Sequence, residues 1–226
     1  MDDRTLIYAP TASGVHALRG ALTSLRLESQ RPVCDAVPWS SAGPVALVGP
    51  ALGAPAAVLA CESLLKTGPW RRLVLFGVCG GLSFAGSEID IGDVILPSEV
   101  ICEDGTSRSY GAPERFPLRP FSLGGIATRH CPVWTTDAPL KEIDKAADFF
   151  RRGARAVDME LSALAWLAAQ HDLEFFACLV VSDLVGEVSR RELKGARVQD
   201  ALRTAARALV ETAIAESFPA PSAQNP

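Results

Sequence analysis

No two of the six cysteines are spaced C-x-x-C, and the three histidines, His16, His130 and His171, lie far apart in the chain. The patterns that announce a dithiol redox motif or a zinc site are therefore missing. Cys34, Cys61, Cys79, Cys102, Cys131 and Cys178 are scattered, and they read as reduced, mostly buried thiols with no metal to hold. No apolar run approaches the roughly 18 residues that a membrane helix needs. The start, Met1-Asp2-Asp3-Arg4, is acidic and leads straight into Leu6-Ile7-Tyr8, without the basic-then-apolar pattern of a signal peptide. These features predict a cytoplasmic protein with no membrane partner. There is no excess of positive charge either. The net charge of −4 argues against a nucleic-acid partner. No G-x-G-x-x-G is present, so a dinucleotide cofactor is not supported. No internal repeat is visible.

What is present is a large share of core-forming residues. At 226 residues, 48% hydrophobic and 21% charged, the chain suits one α/β domain. That domain is expected over 1–216, with a frayed Pro/Ala/Ser-rich tail over 217–226. Strand-like and helix-like stretches alternate, which predicts a sheet covered by helices on both faces. Thr5–Ala9 reads as the first strand. Val15, Leu18, Leu22 and Leu25 form a helical stripe after it, over Val15–Glu28. An alanine-rich helix is expected from Ala54 to about Lys66, and Gly68-Pro69 ends it. Arg72–Phe76 is a buried strand followed by a glycine-dense loop, Gly77–Gly81, in which the backbone can approach a ligand closely. Gly125–Arg129 is a weaker strand candidate, Leu140–Arg152 reads as a charged amphipathic helix, and 191–216 as a long helix.

The stretch Arg155–Asp183 organises the candidate site. Ala156–Val157 ends a short extended run. Leu161, Leu164 and Leu167 follow at close to helical spacing, and Phe175–Val181 is a continuous apolar strand. Glu160 falls where the first strand hands over to the helix, and Asp183 just past the second strand. In an open α/β sheet both positions face the crevice at the carboxyl ends of the strands. By themselves the two acids equally suit a helix-dipole partner and a turn cap. The Pro10–Gly14 loop brings Thr11 and Ser13 to a helix start, which suits an anion or a sugar, or plain capping by Ser13.

Six stretches in order resemble one family. They are F-G-V-C-G-G-L at Phe76–Leu82, I-D-I-G-D-V-I-L-P at Ile89–Pro97, E-D-G-T-S-R-S-Y at Glu103–Tyr110, T-T-D-A at Thr135–Ala138, A-V-D-M-E at Ala156–Glu160 and V-V-S-D at Val180–Asp183. Each is weak alone. The ordered set is similar to the nucleoside phosphorylases and nucleosidases that include uridine phosphorylase, hexameric purine nucleoside phosphorylase and methylthioadenosine/S-adenosylhomocysteine nucleosidase. The resemblance implies a single-domain, three-layer α/β fold with a mixed, barrel-like central sheet flanked by helices. It implies cleavage of a ribosyl C–N bond, with phosphorolysis to free base and ribose 1-phosphate ranked first and hydrolysis as the alternative. In such a family Met159 packs under the sugar, Glu160 binds the ribose hydroxyls, and Asp183 protonates or hydrogen-bonds a purine-type base at N7. Asp158, Ser182, Gly80, Gly81, Val78 and Thr136 are the further substrate-binding candidates. A homodimer or homohexamer is implied, with phosphate as co-substrate and no cofactor.

The nucleophile end departs from the family pattern. Pro10–Gly14 carries no arginine for phosphate and no glutamate for water. Leu75 stands where a second arginine is usual, and Val78 where the glycine stretch usually has a hydroxyl. Thr11, Ser13 and Arg108 remain as candidates for phosphate or water. A further reading follows: a nucleoside-binding homologue that has lost its phosphate site. Trp134 and Phe84 are candidates to stack on the base, or simply core.

Overall fold

The computed structural model describes residues 4–24, 28–29, 37–102 and 114–214. The tail over 217–226, Cys34, Leu25 and the E-D-G-T-S-R-S-Y stretch with Arg108 lie outside the described residues. Strands and helices follow in the order β1 (Thr5–Tyr8), α1 (Ala12–Ala21), β2 (Glu28–Ser29), β3 (Trp39–Ala42), β4 (Val45–Val48), α2 (Ala54–Leu65) and β5 (Arg72–Ser83). Then come β6 (Val94–Cys102), β7 (Glu114–Pro117), β8 (Arg129–Thr135), α3 (Ile143–Arg151) and β9 (Ala156–Asp158). The chain closes with α4 (Leu161–Gln170), β10 (Glu174–Gly186), β11 (Arg190–Arg191) and α5 (Ala196–Ile214).

One mixed sheet runs through the molecule, and part of it closes on itself. β5 pairs in parallel with β10 from Arg72↔Glu174 to Ser83↔Gly186. β10 pairs antiparallel with β6, β6 in parallel with β8, β8 in parallel with β9, and β9 antiparallel with β5. Those five strands form a ring, the barrel-like centre that the resemblance implies. β1 and β4 extend the sheet outward from β5 in parallel, and β3 and β2 complete it antiparallel. Closure hides the strand edges inside the ring, where unpaired N–H and C=O groups would otherwise be costly.

The core follows from composition. β5 and β10 are near-continuous apolar runs because both of their faces are covered, with Leu73, Val74, Leu75, Phe76, Cys178, Leu179 and Val180 excluded from solvent. Each such large side chain contributes roughly 1.5–3 kcal/mol on burial. Helices α1 and α5 pack on each other, as do α2 and α4. A smaller cluster gathers Leu82, Ile101, Trp134, Leu140, Phe149, Val157 and Val185 under α3.

Several expected boundaries shift. Gly77–Gly81 is not a loop; it continues β5. Its glycines answer crowding rather than chain reversal: a Cβ on Gly77 would stand 3.2 Å from Pro10 Cγ, where the β1–α1 connection crosses the strand. Asp183 likewise lies within β10, not past it. The strand expected at Gly125–Arg129 begins at Arg129 and runs on to Thr135. Consequently Trp134 is a core residue, stacked on Phe149 with centroids 4.0 Å apart, and Phe84 packs on Phe150. The last helix starts at Ala196, because Arg190–Arg191 form a short strand on β10 instead.

Candidate active site

A cavity of about 480 Å³ opens where β5, β9 and β10 meet the β1–α1 connection. Its lining includes Thr11, Val78, Gly80, Thr136, Asp158, Met159, Glu160, Ser182 and Asp183. Nine of the residues singled out in the sequence thus share one wall system. The volume is within the range of pockets that bury a nucleoside-sized ligand.

Glu160 is set by three chain segments. The A-V-D-M-E run ends β9, which is wedged between β8 and β5, and Glu160 is the residue from which α4 departs. Asp158, two residues earlier, takes up the α4 N-terminus: its Oδ2 accepts from Glu160 N at 3.0 Å and from Leu161 N at 2.6 Å. Its Oδ1 accepts from Thr135 Oγ1 at 2.7 Å. That arrangement satisfies helix-start N–H groups that would otherwise be orphaned. Asp158 therefore spends its carboxylate on the fold, while the residue itself lines the cavity. Freed from that task, the Glu160 carboxylate points to the cavity and accepts a hydrogen bond from Gly53 N at 2.7 Å. Gly53 has φ of +91°, a conformation glycine adopts without strain, and this aims its N–H at the acid from the start of α2.

The electrostatics around Glu160 are unusual. The residue is buried, and loss of water together with the nearby Asp158 charge pushes its carboxyl up to about 7. Burial also lifts Asp158, to about 6, against the pull of its hydrogen bonds. Tyr8, buried at the end of β1, donates its hydroxyl to Ala51 O, and burial plus the Glu160 charge keep the phenol protonated. The Cys79 thiol is held well above its ordinary value by burial, which makes it an inert wall rather than a nucleophile.

Asp183 is placed by a bulge. Val181 pairs with Cys79 and Asp183 with Gly80, so Ser182 is the extra residue on β10. Bulges re-aim side chains, and here Asp183 is turned against Gly80: a Cβ at Gly80 would lie 3.1 Å from Asp183 Oδ2 and 3.1 Å from Val157 Cγ2. The glycine makes room for the carboxylate. Ser182 Oγ donates to Asp183 Oδ1 at 2.7 Å and fixes its orientation.

Not every sequence candidate reaches the cavity. Gly81 faces the core instead, where a Cβ would meet Ile89 Cγ2 at 2.8 Å and Leu184 Cδ2 at 2.9 Å. Ser13 sits on α1 with its hydroxyl 3.5 Å from Gln199 Nε2 of α5, away from the lining. Thr11 does line the cavity, and its Oγ1 caps α1 by accepting from Gly14 N at 3.2 Å. The Thr136 hydroxyl is used to close its own turn, donating to Ala138 O at 2.8 Å. Three cations in the lining, Lys141, Arg190 and Arg191, escaped notice in the sequence. A hairpin cue preceded the arginines: Gly186 and the polar stretch after it separate β10 from Arg190. Among the described residues no group of three or more His, Cys, Asp or Glu side chains could hold a metal ion, and no helix is long and apolar enough to cross a membrane.

A cavity with two acids, one beside a helix start and one at a bulge within a strand, can fix a polyhydroxylated ring and hydrogen-bond a leaving group. Comparison with known proteins points the same way. The chain is 24% identical over 184 residues to a DeoD-type purine nucleoside phosphorylase of Exiguobacterium sp., covering 74% of this chain and 75% of the relative. It is 28% identical over 175 residues to a guanosine phosphorylase of Halorubrum lacusprofundi, covering 72% and 69%. Its fold matches a putative 5′-methylthioadenosine/S-adenosylhomocysteine nucleosidase of Borrelia burgdorferi bound to adenine, with a TM-score of 0.74 at 16% identity over 94% of this chain and 100% of the other. The family model of the phosphorylase superfamily matches residues 37–215, and the chain belongs to that superfamily.

Proposed function

We propose that this protein cleaves the N-glycosidic bond of a purine nucleoside, with water as the nucleophile. The observation that carries the reading is the convergence of Glu160 and Asp183 on one cavity, each held by its own backbone device. Glu160 takes the ribose hydroxyls over Met159, and Asp183 gives a hydrogen bond or proton to N7 of the base. As the C–N bond breaks, positive charge develops on the sugar and negative charge on the base. A carboxylate under the sugar opposes the first and an acid at N7 quenches the second. The electron pair of the broken bond leaves with the base, water supplies the hydroxyl to C1′, and the products are free base and ribose. No cofactor enters this chemistry.

The resemblance alone ranks phosphate ahead of water; the geometry supports the reverse order. Among the described residues, the cavity wall around Pro10, Thr11 and Val78 carries no arginine or lysine, and the lining cations come from the Pro139–Lys141 stretch and from β11. A phosphate dianion against a wall without a cation is costly, whereas water needs only an acceptor such as the Thr11 hydroxyl. Phosphorolysis is the second reading, favoured by the phosphorylase names of the curated relatives. The test is base release from inosine, guanosine and adenosine in phosphate-free buffer and in phosphate. Equal rates with free ribose as product support hydrolysis; a rate that depends on phosphate and yields ribose 1-phosphate supports phosphorolysis. Nucleoside binding without any turnover would make the protein a non-catalytic homologue.

Self-association into a homodimer or homohexamer belongs to the same proposal, and exposed Leu52, Leu59 and Trp166 on and beside α2 and α4 supply apolar surface for it. The proposed setting is the cytoplasm, where buried thiols such as Cys61 and Cys178 stay reduced.

A further inference from the structure

Arg191 is the direct cross-strand partner of Asp183 in the β10–β11 ladder, and Glu192 N donates to Ser182 O at 2.8 Å to lock that register. Residues directly opposite in an antiparallel pair project from the same face of the sheet. Both side chains line the cavity. Arg190, its neighbour, is taken up by Asp90 at 3.4 Å and Glu192 at 3.1 Å. Arg191 makes no ion pair among the described residues, Asp183 included, so its guanidinium is open to a ligand beside the acid.

We infer that Arg191 selects 6-oxopurine bases over 6-aminopurines, an inference that rests on the proposed nucleoside reading. N7 and the 6-substituent lie side by side on one edge of a purine. In guanine and hypoxanthine that edge presents two acceptors, N7 and O6; in adenine it presents an acceptor and the N6 amino donor. With Asp183 on N7, the adjacent cross-strand guanidinium reaches the 6-position. It carries only donors, so it pairs with O6 and confronts the N6 amino group donor to donor. The same interaction assists departure of an oxopurine. Negative charge that builds on the leaving base spreads onto O6, where a fixed cation stabilises it more in the transition state than in the ground state. The pairing is a charge-assisted hydrogen bond, which corresponds to a discrimination of roughly ten- to a hundredfold.

The test compares kcat/KM for inosine and adenosine in the wild-type protein, Arg191→Ala and Arg191→Lys, with hypoxanthine and adenine binding measured by thermal shift. The expected result is a wild-type inosine-to-adenosine ratio of about ten or more, a ratio at least tenfold lower in Arg191→Ala, and partial recovery of it in Arg191→Lys. Melting curves without ligand report that the variants fold, as an exposed position allows. Efficient adenosine cleavage with no inosine preference overturns the inference and leaves the nucleoside reading standing. So does a proportional loss on both substrates in Arg191→Ala. If no nucleoside turns over, wild-type stabilisation by hypoxanthine but not adenine still supports the selectivity, and stabilisation by neither base overturns it together with the nucleoside reading.

Discussion

Replacing Glu160 by Gln separates what this acid does for chemistry from what it costs the fold. Gln is isosteric and keeps an oxygen for Gly53 N, which now bonds Glu160 Oε1 at 2.7 Å, so the change removes charge and little else. In the native protein burial and the Asp158 charge raise the Glu160 carboxyl from 4.5 to about 7. A raised carboxyl means that the folded state keeps its proton where the unfolded chain has lost it. Stability from this group is fully present below pH 4.5 and declines as pH rises through about 7. The whole interval corresponds to about 3 kcal/mol. Glu160→Gln should therefore match the wild type near pH 4 and exceed it by about 3 kcal/mol near pH 8, or about 6–12 °C in Tm for a chain of this size. Its base-release activity should fall by orders of magnitude, because an amide neither accepts from two ribose hydroxyls nor opposes the developing sugar charge. Urea unfolding of both proteins from pH 4 to 8 reads the first part. A variant that is less stable than wild type at pH 8, or a gap that does not change with pH, would refute the buried acid with a raised pKa described here.

Other perturbations reach the same site by different routes. Asp183→Asn keeps the size and the Ser182 contact but removes the proton donor, and turnover of a purine nucleoside should drop about 10²–10⁴-fold while ligand-induced thermal stabilisation persists. Gly80→Ala brings a methyl to 3.1 Å from Asp183 Oδ2, so kcat should fall tenfold or more with a stability cost of about 1–3 kcal/mol, read by steady-state kinetics and by melting. Asp158→Ala strips the α4 start of its acceptor and leaves the Thr135 hydroxyl without an acceptor for its proton; chemical unfolding should report a loss of about 1–3 kcal/mol, with activity lost as Glu160 shifts.

Much of this architecture is legible in the chain because the strands carrying it are apolar throughout. Phe175–Val181 announces a doubly covered strand, and A-V-D-M-E followed by a leucine stripe announces a strand-to-helix handover. What the sequence concealed were features set by neighbours in space. Gly77–Gly81 looks like a loop because local propensity counts glycines, whereas the ring of strands needs them for close packing against Pro10, Asp183, Ile89 and Leu184. The bulge at Ser182 leaves no composition signal and exists only in the register between β5 and β10. Asp158 and Glu160 are alike in sequence, and only the helix start distinguishes the structural acid from the one free to meet a ligand. Arg191 was hidden for the same reason, since a two-residue strand has no periodicity to detect.

The position of a nucleoside between the two acids tests the proposed function most directly. A crystal structure with a C-glycosidic purine nucleoside analogue, whose ribosyl bond cannot be cleaved, measures this. It should place the ribose 2′- and 3′-hydroxyls within hydrogen-bond distance of Glu160 above Met159, and N7 within hydrogen-bond distance of Asp183. An analogue bound elsewhere, or bound in this cavity with its sugar at Asp183 and its base at Glu160, would contradict it.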